Sequence, residues 1–414
     1  MASRWSFTTE PGVFYELAEL GHLYPGNKVA TQPHLALIPG KEYPSDDASS
    51  PDQRDWVRFA AYVKWLNENS PDNVVYKVLY LTRHGFGYHN KKHAEVGTVE
   101  WDVQELKKRQ SRVSFMNGDD KETWFDAHLT EVGIQQAHDL NTFWTNLIAT
   151  DGAPLPQTLF TSPLARCLQT TQYIFGPLME AHQRPFRPIV KELIRERMTL
   201  HTCDFRRPAS WIRENYPAYA LEPGFAEEDT FGRDGHAETD AEHVARKQKA
   251  LEEVWDEDGC GAVVSLTVHS YAIRAIQEAC GGRTCLTREG TSMAILVRGE
   301  RSLEVILATV INPRGPDDGS TPEEVRLRNK SGADVSLAGW RIENRSGNAF
   351  RLPDDATLQA NGGEATFKIH GVALTNKGGT IVLKNASGAV VDSVTYSEEQ
   401  AEKEGEMVDF ERDR

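Results

Sequence analysis

Cysteine is scarce in this chain: five in 414 residues, an odd number, scattered, with none after Cys285. A disulfide framework is therefore not expected, and thiols that stay reduced fit a cytoplasmic setting. Cationic charge is short too. There are 46 Lys and Arg against 61 Asp and Glu, a formal net charge of -15, which argues against broad nucleic-acid binding. No apolar run is long enough to span a bilayer. Residues 1–10 lack the basic start and apolar core of a secretion signal. Three Asn-x-Ser triplets, at Asn329, Asn344 and Asn385, would accept glycans only on a secreted chain and read here as turn chemistry. What remains is a globular composition long enough for two or three domains.

Residues 1–74 are rich in aromatics and prolines and are expected to pack onto the domain that follows. One amphipathic pattern there, at 51–67, puts Trp56, Phe59, Ala60, Val63 and Leu66 on one face. From Val74 onward strand and helix patterns alternate. Strands are expected at 75–82, 158–161, 189–193, 262–268 and 293–297, and helices at 130–149, 164–180, 239–255 and 270–279, with Thr130 as a cap. The alternation predicts an α/β domain over 1–300: a three-layer sandwich with a mostly parallel sheet. Near Gly299, Glu300 and Arg301 the pattern turns to short alternating segments divided by Gly, Asn and Asp. An all-β sandwich is expected over 301–397. Within it a loop at 312–322 joins strands at 302–311 and 324–328, and Val390, Asp392, Val394 and Tyr396 share one parity. Residues 398–414 read as a charged, frayed tail.

Three distant segments, Arg83-His84-Gly85, Ser162-Pro163-Leu164-Ala165-Arg166 and Val268-His269, each lie at or just past the end of an apolar β-type run. Strand ends of an α/β sheet are where such folds build sites. Two guanidinium forks and two imidazoles would suit a phosphoryl group, with one histidine free as nucleophile. Gly85 lets the backbone approach a ligand closely. Ser162-Pro163 reads as a helix start, so that Arg166 lies near a helix N-terminus, where amide donors favour an anion.

Together these segments resemble the histidine phosphatase, or phosphoglycerate mutase-like, superfamily over residues 74–298. The resemblance implies that His84 becomes phosphorylated, that Arg83, Arg166, His269 and Asn90 bind the phosphate, and that His269 is protonated when it is bound. It places the proton donor at Glu196, with Glu192 as the alternative; strand parity does not separate the two. Phe86 and Gly87 stand where many members carry an acidic residue and a serine, which leaves the substrate open; Ser270 stands where some carry an aspartate as proton donor, so the donor must come from elsewhere. The stretch 193–207 resembles a fungal and plant branch of the superfamily. Phe86, Tyr88, His201, Arg206 and Arg207 are expected at the leaving-group pocket. His84, His89 and His93, and also His201, Cys203 and Asp204, cluster in sequence without a recognised zinc spacing, so no metal or other cofactor is expected.

The later segments Glu323-x-Val325-x-Leu327-x-Asn329, Gly339-Trp340, Phe350-Arg351-Leu352-Pro353 and Gly388-Ala389-Val390, in that order, resemble a lamin tail domain over 302–397. That implies an immunoglobulin-like sandwich used for dimerisation or protein docking. The expected activity is hydrolysis of a small phosphate monoester through a phosphohistidine. The alternatives are a mutase that returns the phosphoryl group to its substrate, and a phospho-ligand or protein-binding module acting through the sandwich.

Overall fold

The computed structural model describes residues 5–47, 54–71, 73–101, 113–232, 234–301, 305–311, 323–331, 334–375, 377–401 and 407–410. The chain divides into two compact units, Met1–Arg301 and Ser302–Arg414. Among the described residues no helix is long and apolar enough to cross a membrane.

The first unit is built on a seven-stranded sheet in the order Trp5–Thr9, Thr291–Arg301, Val74–Arg83, Val263–Val268, Thr158–Thr161, Ile189–Val190, Ala220–Leu221. Only Thr291–Arg301 runs against its neighbours; the remaining pairs are parallel. Alternation along the central strand sets the layers. Leu79 and Leu81 enter one core with Leu251 and Val254 of the helix Asp240–Asp256 and Ile273 and Ile276 of the helix Ser270–Ala279. Val78 and Tyr80 enter the other, with Trp56 and Phe59 of Asp55–Asn69, Leu140 and Trp144 of Glu131–Asn146, and Ile174 and Phe175 of Ala165–Ala181. This is the expected three-layer α/β sandwich. Each fully buried Leu, Ile, Val or Phe contributes about 1.5–3 kcal/mol, so the two cores hold the sheet from both faces.

Several local expectations change. The segment before residue 74 supplies an edge strand, Trp5–Thr9, and the start of the 51–67 pattern lies partly outside the described residues. Thr130 caps its helix as expected, its hydroxyl accepting from the Gly133 N–H. Strand 189–193 stops at Val190, and Glu192–Ile194 is a single 3-10 turn. Pro163 lies ahead of its helix, which starts at Ala165.

Among the described residues the second unit holds two four-stranded antiparallel sheets and a two-stranded one. Trp340, Leu337, Ile342, Leu327 and Leu383 form its core, as an immunoglobulin-like sandwich requires. The loop expected at 312–322 lies outside the described residues. In Val390–Tyr396 a register shift between Leu383 and Lys384 breaks the expected parity: Val394 and Tyr396 are buried, but Val390 is 60% exposed and Val391 packs on the core instead. A bulge inserts one residue and turns the side chains over. The charged tail is also shorter than expected, because Met407–Asp409 pairs with Val305–Ile311 and Val408 and Phe410 are buried.

Gly85 allows a close backbone approach, but to another part of the chain. A Cβ at Gly85 would lie 2.4 Å from the Gly133 carbonyl oxygen, and one at Gly133 would lie 2.3 Å from that of Phe86. The helix Glu131–Asn146 thus seats its first turn directly on the segment Gly85-Phe86. Intrinsic propensity makes Gly133→Ala stabilising by about 1 kcal/mol, whereas the backbone clash makes it destabilising by about 1–3 kcal/mol. The clash should win: the urea midpoint of Gly133→Ala falls, and a rise would show that this approach is loose.

Candidate active site

The site follows from sheet register. Arg83 pairs with Val268 and Thr161 with Thr267 across adjacent parallel strands, so His84, Ser162 and His269 leave the sheet side by side. The two imidazole rings stand 5.0 Å apart, edge to face. His84 is 2% and Arg166 1% exposed. His84 Nδ1 lies 2.7 Å from the Gly85 carbonyl oxygen. A carbonyl only accepts, so Nδ1 carries the proton and Nε2 keeps its lone pair. That lone pair accepts from Arg166 Nε at 3.2 Å. Burial, then the charges of Arg166 and Arg83, push the proton affinity of His84 far below the usual imidazole range, so the ring is neutral. His269 is buried against Ser162 Oγ at 2.8 Å and Cys167 Sγ at 3.4 Å. Burial and Arg166 lower its proton affinity as well. An anion beside it would raise that affinity.

Arg83 is held by two groups that the sequence reading missed. Its Nη1 donates to the Thr287 carbonyl at 2.6 Å and its Nη2 pairs with Glu289 at 2.7 Å, while its buried Nε has no partner among the described residues. Arg166 also donates through Nη1 to the Cys203 carbonyl at 2.8 Å. The first amide of its helix, Ala165 N–H, donates to buried Asp126 at 2.8 Å, so a carboxylate takes the anion position expected for phosphate at that amide. Asn90 accepts the Gly87 N–H at 3.0 Å through Oδ1. This closes the first turn of Tyr88–Trp101 and leaves its Nδ2 protons as donors.

Glu196 and Glu192 separate cleanly. Glu196 accepts from the backbone N–H groups of Arg197 at 2.9 Å and Tyr271 at 3.2 Å. The second places its carboxyl at the start of the helix that follows His269. Burial raises its proton affinity above the ordinary carboxylate range. Glu192 is instead bound to Arg195 at 2.7 Å and Arg206 at 2.9 Å, inside a network completed by Arg195 and Asp229 at 2.8 Å. Parity failed to separate them because the strand had already ended.

The expected leaving-group pocket is corrected in part. Arg206 is buried, donates to Glu192 and to the carbonyls of Ala226, Glu227 and Glu228, and stacks on Phe225. Arg207 is held by Asp126, with Nη1 on its carbonyl at 2.7 Å, and lies over Trp211. The Arg206 side chain is wholly buried in these contacts, whereas Arg207 keeps 17% of its side chain exposed. Tyr88 packs on a cluster containing Trp101, Trp124 and Cys203. Phe86 is fixed through its main chain to Gln136 and Thr130. His201 packs edge-on against Trp101 and Phe115. His89, weighed only as a zinc ligand, lies 5.5 Å from the His84 ring with a buried Nδ1 that has no partner among the described residues.

A model of the histidine phosphatase superfamily (branch 1) matches residues 117–288, and one of the lamin tail domain matches residues 302–398. A probable phosphoglycerate mutase of Arthroderma benhamiae is 37% identical over 266 residues, 64% of this chain and 74% of that protein. A probable phosphoglycerate mutase of Saccharomyces cerevisiae is 28% identical, covering 58% of this chain and 88% of the relative. A phosphoglycerate mutase-like protein of Arabidopsis thaliana is 26% identical, covering 49% and 73%. The chain belongs to the histidine phosphatase superfamily and carries a lamin tail domain after it. The superfamily match begins after His84, so it is the sheet register that ties Arg83 and His84 to Arg166 and His269.

Glu289 sits where it would compete with an anion for Arg83. Glu289→Gln should therefore tighten inhibition by orthovanadate about tenfold, or ~1.4 kcal/mol. A weaker inhibition constant would mean that Glu289 instead aims Arg83 at the anion.

Proposed function

We propose that the first unit is a phosphomonoesterase acting on a small phosphate ester through a phosphohistidine. The observation that carries this reading is the neutral His84 ring, its Nδ1 proton fixed on Gly85 and its Nε2 lone pair facing Arg166. Arg166 Nε moves from His84 to a phosphate oxygen when substrate enters, which frees the lone pair. Nε2 then attacks phosphorus in line with the ester oxygen, while Arg83, Arg166 and His269 hold the equatorial oxygens. The P–O bond breaks, and Glu196 gives its proton to the leaving alkoxide. In the second half, Glu196 takes a proton from a water that attacks the phosphohistidine, and His84 leaves unchanged. Fixed cations supply the charge stabilisation.

The relatives' names favour a second reading, a mutase. The two are separated by phosphate release measured across sugar, glycerate, nucleotide and isoprenoid monophosphates with wild type and His84→Ala. We expect release with at least one class and none with His84→Ala. Stimulation by a bisphosphate primer with little release would select the mutase. The lamin tail domain carries association, dimerisation or protein docking, in this reading, because every group used above lies before residue 302.

Glu196 acts in its protonated form, so kcat/KM should fall as pH rises through its elevated pKa. Glu196→Gln should lower kcat about 10²–10⁴-fold and remove that alkaline limb. Glu192→Gln should lower stability and leave the limb in place. A limb that survives in Glu196→Gln would assign the proton elsewhere.

A further inference from the structure

We propose that His201, Cys203 and Asp204 form a binding site for a zinc-class divalent cation that bears on Arg166. The sequence spacing gave no reason to expect one, but the 3-10 turn Thr202–Asp204 folds the three side chains together. One imidazole nitrogen, one sulfur and one carboxylate oxygen all lie within 4.8 Å of one another. A tetrahedral ion with bonds of about 2.0–2.3 Å needs ligand atoms ~3.3–3.8 Å apart, so a contraction of about 1 Å completes the set. Cys203 and Asp204 are buried, whereas His201 is partly exposed, which leaves one side open for solvent as a fourth ligand.

The donor set selects the ion. A thiol and an imidazole suit zinc, cobalt or copper, and calcium and magnesium prefer oxygen alone. The outer shell is already in place. Asp204 Oδ2 accepts from the Thr199 N–H at 3.2 Å and from the Thr199 hydroxyl, as ligating carboxylates usually require. The Cys203 thiol points at Asp204 Oδ1, 3.7 Å away. On binding, that thiol proton leaves to solvent and the cation takes its place between sulfur and oxygen.

The same turn touches the phosphate pocket. The Cys203 carbonyl accepts from Arg166 Nη1, so a cation that tightens the turn shifts the guanidinium that grips substrate. Reversible inhibition by zinc follows, and that consequence alone rests on the proposed hydrolase activity.

The test is a titration of the full-length protein with Co²⁺, followed by absorption spectroscopy. We expect one Co²⁺ per chain, a thiolate-to-cobalt charge-transfer band, and displacement of cobalt by Zn²⁺. Cys203→Ser should lose the band while its circular dichroism matches wild type without cation. Thr199→Val, which removes only the hydroxyl behind Asp204, should weaken binding about 10–100-fold and decides the matter if Cys203→Ser fails to fold. The proposal is overturned if wild type shows no thiolate band, or if the band persists in Cys203→Ser because the ion has taken another thiol. These readouts are independent of turnover. A phosphate-release assay that fails, with the cobalt band present, would sink the hydrolase reading and leave the cation site standing.

Discussion

The main chain at His84 is held from both sides, and the chemistry depends on that clamp. Its N–H donates to the Val268 carbonyl and its own carbonyl accepts from Gly290, each at 3.0 Å. The next residue, Gly85, is tied to the Thr170 hydroxyl at 3.1 Å and pressed against Gly133. With the backbone fixed, the ring has one place to put its Nδ1 proton, on the Gly85 carbonyl. A ring in the other tautomer would leave that carbonyl unpaired and present a proton, not a lone pair, to the pocket. In the proposed mechanism the attacking lone pair is thus set by backbone geometry before any substrate arrives.

Charge balance makes the pocket receptive to an anion. Arg83 and Arg166 are buried together, and burying a charge is costly unless it is paired. Glu289 compensates one of them; the orphaned Arg83 Nε and His89 Nδ1 stay unpaired among the described residues. On the proposed reading, a phosphate dianion supplies the acceptor that Arg83 Nε lacks. These buried cations stand in a chain whose formal net charge is -15.

The fold was largely legible in the sequence because the buried strands read as unbroken apolar runs and because the cap Thr130 marks its helix. The Asn-x-Ser triplets were legible as turns for the same local reason: Asn329, Asn344 and Asn385 each accept a nearby backbone N–H through Oδ1. Motifs at strand ends gave Arg83, His84, Arg166 and His269 as a group. Long-range pairing was not legible. Arg206 and Arg207 looked like ligand-facing cations because nothing local shows that Glu192 and Asp126 will reach them. Glu289 lies on a loop with no motif of its own, and the bulge near Val390 depends on the partner strand's register.

The central claim is that four side chains close around one tetrahedral phosphorus with His84 Nε2 in line. A crystal structure of the protein with orthovanadate tests it most directly. The account predicts vanadium bonded to His84 Nε2 in a trigonal bipyramid, its equatorial oxygens contacted by Arg83, Arg166 and His269. Vanadate bound at another place, or held there with the His84 ring turned away, would contradict it.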